Sequence, residues 1–157
     1  MWLAAALLLQ AEFMHFFTIR AAEPSAVLVL VVWFAMRTNL MNAAAFGVIA
    51  GACEDFFGTQ TGGAWTIATT LTAIGANFAA RGFFVDSLAL TAVVVASAAL
   101  LRRLLFWTVM SLEGYPAGFA RVHFHQAMWE ALADAVLAIA VTLGARAISS
   151  RRFAHRY

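Results

Sequence analysis

The chain has 157 residues, of which 64% are hydrophobic and 11% charged, and its mean hydropathy is +0.84. Since soluble domains are nearer half apolar and a quarter charged, this composition excludes an ordinary soluble domain and predicts a single membrane domain over residues 1–157. The basic residues are all arginine, mostly single, and the net charge is +2, which excludes a nucleic-acid-binding face. One cysteine, Cys53, excludes an intrachain disulfide.

The first apolar segment covers residues 1–18, about the minimum length for crossing a bilayer. It lacks a basic leader, so we interpret it as a membrane helix and not as a cleaved signal peptide. Gln10, Glu12 and His15 fall in its second half. Because lipid-facing charge is expensive, we expect them near the interface or facing other helices, with a proton relay through Glu12 and His15 as an alternative.

Two short apolar segments follow, residues 25–36 and 43–57. Pro24 is expected in the first turn of the earlier one. Twelve helical residues rise only about 18 Å, less than the hydrocarbon thickness. The sequence therefore predicts a hairpin of two short helices packed within the protein, where lipid need not cover every face.

Three further apolar segments, at about residues 64–80, 83–112 and 124–148, complete six predicted helices. An even number of spans places both termini on one side of the membrane. The basic tail, about residues 146–157, places that side in the cytoplasm by the positive-inside rule. We therefore predict an all-α integral membrane protein, a bundle of about six transmembrane helices, two of them short.

Glycines and an acid recur every four residues at Gly47, Gly51 and Asp55, so the three share one helix face. Such small residues let a second helix approach closely. Gly58 and Gly62 follow before the next apolar segment. The pattern predicts a tight helix contact, part of it available to a partner's helix, with Asp55 capping or hydrogen-bonding at the outer end.

Arg102 and Arg103 interrupt the long fifth segment. Adjacent helical residues point about 100° apart, so we do not expect both arginines to face the same partner. The candidate carboxylates are Glu130, Asp134 and Asp55. We hypothesise that an intramembrane arginine–carboxylate pair fastens these helices together.

His123 and His125, followed by Glu130 and Asp134, superficially resemble a metal-ligand set. No HExxH motif or cysteine pair accompanies them, so paired interfacial histidines are the plainer interpretation. No nucleophile, phosphate-binding loop or cofactor motif is recognisable. We therefore predict no metal, no cofactor and no enzymatic activity.

The order of these features resembles the bacterial rod shape-determining protein MreD family. The resemblance rests on residues 7–10 (LLLQ), on Pro24, and on the short apolar helix that ends near Trp33. It continues through the glycine-spaced helix at residues 47–55, its following glycines, the long fifth segment and the basic tail. Arg102 and Arg103 depart from the family pattern, which has apolar or acidic residues there.

The resemblance implies a non-enzymatic component of the cell-elongation complex in the cell inner membrane, in contact with membrane lipids. Its implied partner is MreC, which connects it to the MreB cytoskeleton and to peptidoglycan-synthesising enzymes. The family also resembles the six-helix S component of energy-coupling-factor vitamin transporters. A small-molecule-binding S component is therefore the alternative function, with Glu54, Asp55, Thr59 and Gln60 available for a polar pocket.

Overall fold

The computed structural model describes residues 24–58, 61–81, 87–114 and 120–154, apart from the side chains of residues 120 and 147–154. These residues contain no strand, which confirms the all-α class for this part of the chain. The predicted first helix, residues 1–18, with Gln10, Glu12 and His15, lies outside them, so the count of six stays a prediction. The five described helices are α1 (Ala26–Ala35), α2 (Leu40–Phe57), α3 (Ala64–Ala80), α4 (Leu88–Leu112) and α5 (Ala120–Ala154).

The bounds of α3 agree with the sequence prediction, whereas α2 is longer than expected. Helix α2 begins at Leu40 because the Asn39 side chain accepts a hydrogen bond from the Asn42 amide at 2.8 Å, as an N-cap does. The prediction that this helix is short was therefore wrong. Pro24 also lies before α1 and not in its first turn, since Ser25 is the N-cap and accepts from the Leu28 amide.

Three of the described helices are long and apolar enough to cross a membrane. They are α2, α4 and the part of α5 that covers residues 121–146. Helix α1 is apolar but has only ten residues. Together with the composition, these lengths indicate a membrane protein.

Helices α2 to α5 run antiparallel to one another in succession. Gly51 of α2 lies against Thr66 of α3, and Gly47 lies against Thr70, so the residue order is opposed along the contact. The same opposed order holds between α3 and α4 in the pairs Trp65–Phe106 and Gly75–Leu101, and between α4 and α5 in the pairs Arg103–Glu130 and Phe106–His123.

Helix α1 is a short helix in the middle of the bundle, where it contacts each of the other four. Its N-cap Ser25 and its first residue Ala26 are 1% and 8% exposed, so it begins inside the protein. The Ser25 amide at its start donates to Asp134 Oδ1 at 2.6 Å. At its other end, Asn77 Nδ2 donates to the carbonyls of Ala35 and Thr38, each at 2.8 Å. Side chains of α5 and α3 thus satisfy backbone groups that the helix leaves unbonded.

The interior is filled by small side chains, and many large apolar ones face outward. Alanine recurs among the buried residues of α2 to α5. Because backbones can approach closely across such positions, this is the usual packing of membrane helices. The exposed large apolar residues on the helix surfaces include Val48, Ile49, Ile67, Leu71, Phe78, Val93, Leu104, Met128, Leu132 and Val136.

Candidate functional site

Five charged side chains meet inside the bundle, and we call them the ionic cluster: Glu54 of α2, Arg102 and Arg103 of α4, and Glu130 and Asp134 of α5. The exposed fraction is 3% for Arg102, 2% for Glu130 and 0% for Asp134. Arg102 precedes the last residue of α4 by about 15 Å of helix, so the cluster lies within a candidate membrane span. Charges at such depth need partners, and they mark structural or functional sites.

Arg102 joins its own helix, α4, to three other helices. Its Nη1 donates to Glu54 Oε1 at 2.9 Å and to Oε2 at 3.1 Å, and its Nη2 donates to Ser25 Oγ at 3.2 Å. Its Nη2 also lies 3.7 Å from Glu130 Oε1. The Thr69 hydroxyl donates to Glu54 Oε2 at 3.1 Å, which adds a contact from α3. A single guanidinium therefore connects α4 to the start of α1, to α2 and to α5.

Arg103 binds Glu130 through its Nε and its Nη2. Glu130 therefore lies within ion-pair distance of both arginines. This differs from the expectation that adjacent arginines face separate partners. Both guanidinium groups contact one carboxylate because the arginine side chains are long and flexible, although their Cα–Cβ bonds point in different directions.

Asp134 lies one helical turn beyond Glu130 on α5 and binds the backbone at the start of α1. Its Oδ1 accepts the Ser25 amide hydrogen. Among the described residues, its buried Oδ2 has no hydrogen-bond partner and Asp134 forms no salt bridge. An acidic side chain at this position supplies an acceptor for an amide at the helix start that has no partner within the helix.

The ring of Trp65, near the start of α3, lies over the guanidinium groups of Arg102 and Arg103. Its ring stacks on Phe106 with centroids 4.1 Å apart. The guanidinium carbons of Arg102 and Arg103 lie 4.7 and 5.4 Å from the Trp65 ring centroid. These distances are within the range of a cation–π interaction, which is strongest where water is excluded.

Asp55 lies outside the ionic cluster, although the sequence named it as a candidate partner for the arginines. It binds the start of α3 instead, accepting from the Trp65 amide at 3.1 Å and the Thr66 amide at 2.8 Å. The hydroxyls of Thr61 and Thr66 also donate to it, at 2.7 and 2.6 Å. Asp55 thus caps α3 from the end of another helix, where Gly63 offers no side-chain cap.

Gly47 and Gly51 are buried against α3 within the same chain. A Cβ at Gly51 would lie 2.5 Å from Thr66 Cα and 2.7 Å from the Trp65 carbonyl oxygen. A Cβ at Gly47 would lie 2.9 Å from Thr70 Cα. Helix α3 therefore fills this face, and a partner's helix would have to contact other residues.

The two following glycines lie in the connection to α3. A Cβ at Gly58 would be 3.1 Å from the Glu54 carbonyl oxygen. Gly62 has a φ of +54°, which L-residues with side chains rarely adopt, and a Cβ there would meet Glu113 Oε1 at 2.8 Å. A larger side chain at either position would therefore be crowded by neighbouring atoms in the turn that precedes α3.

The two histidines do not form a metal centre with the nearby acids. His123 packs against Phe106 and Trp107, with ring centroids 6.0 and 5.2 Å apart. His125 Nε2 accepts a hydrogen bond from the Trp129 indole at 3.4 Å. Within the described residues, no group of three or more histidine, cysteine or acidic side chains could hold a metal ion.

Four residues of this site were not assigned to it from the sequence: Glu54, Ser25, Trp65 and Thr69. The sequence position of Ser25 predicts an N-cap, because a serine just before an apolar segment is typical of one. An N-cap marks a helix start, where unbonded amides attract an acidic side chain. The roles of Trp65 and Thr69 depend on how α3 is rotated against α4 and α2. That rotation has no local sequence signal.

Comparison of the chain with models of protein families, with curated proteins and with solved structures finds no match. The function is therefore argued from the residues of the chain and their geometry.

Proposed function

We propose that this chain is a non-enzymatic membrane scaffold of the bacterial cell-elongation complex. In this proposal it resides in the inner membrane with both termini in the cytoplasm, binds MreC, and is connected through MreC to MreB and to the wall-synthesis enzymes. The observation that carries the proposal concerns the residues of the MreD-like motif. Gly47 and Gly51 contact α3 directly, and Asp55 caps the same helix, so the motif residues act together as one structural unit.

The ionic cluster supports a scaffold because its groups bind one another across helices. Arg102 contacts Glu54 and Ser25, and Arg103 contacts Glu130. Removing one partner of a buried pair typically costs about 3–5 kcal/mol, so such contacts hold the helices in one arrangement. A rigid arrangement is what a protein needs to present a fixed surface to its partners.

The surface that we assign to MreC is the outer face of α2. In this helix only Ala43, Gly47, Ala50 and Gly51 are buried, all toward the bundle. Val48 and Ala52, four residues apart, are exposed on another face. A transmembrane helix of MreC would pack there in place of lipid, through close contact and not through hydrophobicity.

Affinity purification of the tagged chain from membranes tests the proposal. Wild-type protein should recover MreC above the amount bound by an unrelated tagged membrane protein. Val48→Trp should reduce that recovery with unchanged thermal stability, whereas Val93→Trp, at an exposed position of α4, should not. Folded wild-type protein that recovers no MreC above the control would contradict the proposal.

The carrier alternative is less well supported, because two of its candidate pocket residues, Glu54 and Asp55, bind other groups of the chain. Glu54 binds Arg102 and Thr69, and Asp55 binds the start of α3. Thr59 and Gln60 lie outside the described residues. A vitamin-type molecule found by mass spectrometry at a stoichiometric amount in purified protein would favour the carrier.

A further inference from the structure

The ionic cluster holds more carboxyl groups than guanidinium groups. Two arginines, Arg102 and Arg103, face three acids, Glu54, Glu130 and Asp134. If every group were ionised, the cluster would carry one uncompensated negative charge inside a bundle whose surface is largely apolar. Burying a net charge in such surroundings is costly, and a buried acid commonly takes up a proton instead.

Among the described residues, Asp134 is the acid of the cluster that forms no salt bridge. Glu54 lies 2.9 Å from an Arg102 nitrogen, and Glu130 pairs with Arg103. Asp134 is fully buried, forms no salt bridge among the described residues, and its Oδ2 has no hydrogen-bond partner. Its Oδ1 already accepts the Ser25 amide hydrogen, so Oδ2 is the atom left to receive a proton.

We propose that Asp134 is a proton-binding site and that it holds a proton on Oδ2 in the folded protein at neutral pH. The cluster then contains two cations and two anions. Among the described residues, the charged groups that act on Asp134 are Glu130 of its own helix, α5, and Arg102 and Arg103 of α4, and the Ser25 amide before α1 donates to it. Glu54 of α2, which also accepts from Thr69 of α3, pairs with Arg102 and completes the balance.

The site links the arrangement of the helices to pH. Asp134 joins α5 to the start of α1, and Glu130 lies one turn away. Loss of the proton would place a second negative charge beside Glu130, at the contact between these helices. The folded protein holds a proton that the unfolded chain releases at neutral pH, so its stability should fall as pH rises. The proposed scaffold function does not require this protonation.

Infrared spectroscopy of the purified full-length protein at neutral pH tests the inference directly. The spectrum should contain the carbonyl stretch of a protonated carboxylic acid, and the band should shift when aspartate carries a ¹³C-labelled carboxyl group. It should be absent from Asp134→Asn and retained in Glu113→Gln, which changes an exposed acid. Absence of an aspartic acid band from the folded wild type would overturn the inference.

The pH dependence of unfolding supplies a second measurement. One linked proton changes the unfolding equilibrium constant by about tenfold per pH unit. At near-neutral pH and fixed ionic strength, the unfolding equilibrium constant of wild type should therefore rise with pH more steeply than that of Asp134→Asn, by up to about tenfold more per pH unit. Equal slopes would overturn the inference, and so would stabilisation by sodium that potassium does not reproduce, since a bound cation would then occupy the site.

Discussion

Arg102 and Glu54, from helices α4 and α2, form a buried ion pair with Nη1 and Oε1 2.9 Å apart. The same guanidinium donates to Ser25 Oγ, so one side chain fixes the start of α1 against two other helices. Such a contact restricts how the helices are arranged. Its contribution to stability is best measured by removing each partner in turn.

Arg102→Met and Glu54→Gln should each destabilise the protein by about 3 kcal/mol or more, because each leaves a buried charge without its partner. The double variant should cost less than the two single effects added together, since neither charge then remains. A double-mutant cycle of unfolding free energies in detergent measures the difference. Additive effects would show that the two residues do not interact.

Gly51→Ala should destabilise the protein by about 1–3 kcal/mol, because its Cβ would lie 2.5 Å from Thr66 Cα and the helices would have to separate. Gly144→Ala in α5 is the matched control, since nothing lies within 4 Å of a Cβ there. It should be neutral or stabilising by about 0.5–1 kcal/mol. Equal unfolding midpoints for the two variants would contradict the close contact of α2 and α3.

Asp55→Ala should cost about 0.5–2 kcal/mol, because the amides of Trp65 and Thr66 lose their acceptor at the start of α3. Asp55→Asn, which keeps one acceptor oxygen, should cost less. Glu113→Ala, at an exposed acid near the same turn, should stay within about 0.5 kcal/mol of wild type. Hydrogen exchange of both the Trp65 and Thr66 amides should rise in the alanine variant, whereas in the asparagine variant it should rise only at the amide that faces the side-chain NH2 group, since the two amides bind different carboxylate oxygens.

Asn77→Leu should destabilise the protein by about 1–3 kcal/mol for each acceptor left unbonded, because the carbonyls of Ala35 and Thr38 would lose their donor. Arg81 would lose its acceptor on the same side chain. The exposed Asn42 provides a control substitution to leucine. A thermal midpoint equal to that of Asn42→Leu would show that Asn77 does not anchor α1.

The sequence predicts the helices better than their contacts. The limits of α3 follow from Gly63 before it and Arg81 after it, and the close approach at Gly47 and Gly51 follows from their four-residue spacing. The start of α2 also had a local signal, since Asn39 is a favourable N-cap. These features depend on residues near one another in the chain.

The composition of the ionic cluster depends on tertiary packing, which local patterns do not determine. Glu54 and Asp55 are adjacent and differ by about 100° in direction, so a small rotation of α2 decides which of them faces Arg102. Ser25 reaches Arg102 only because α1 begins at the depth of the cluster. The same packing directs Asp55 to α3.

The proposed scaffold function is tested most directly by site-specific photo-crosslinking in intact membranes, with MreC as the protein detected. Crosslinkers at the exposed positions Val48 and Ala52 of α2 should yield MreC adducts, and a crosslinker at the buried Ala50 should not. Val93 of α4 and Leu132 of α5 extend the scan to other exposed faces. Folded variants that yield no MreC adduct from any exposed position would contradict the proposal.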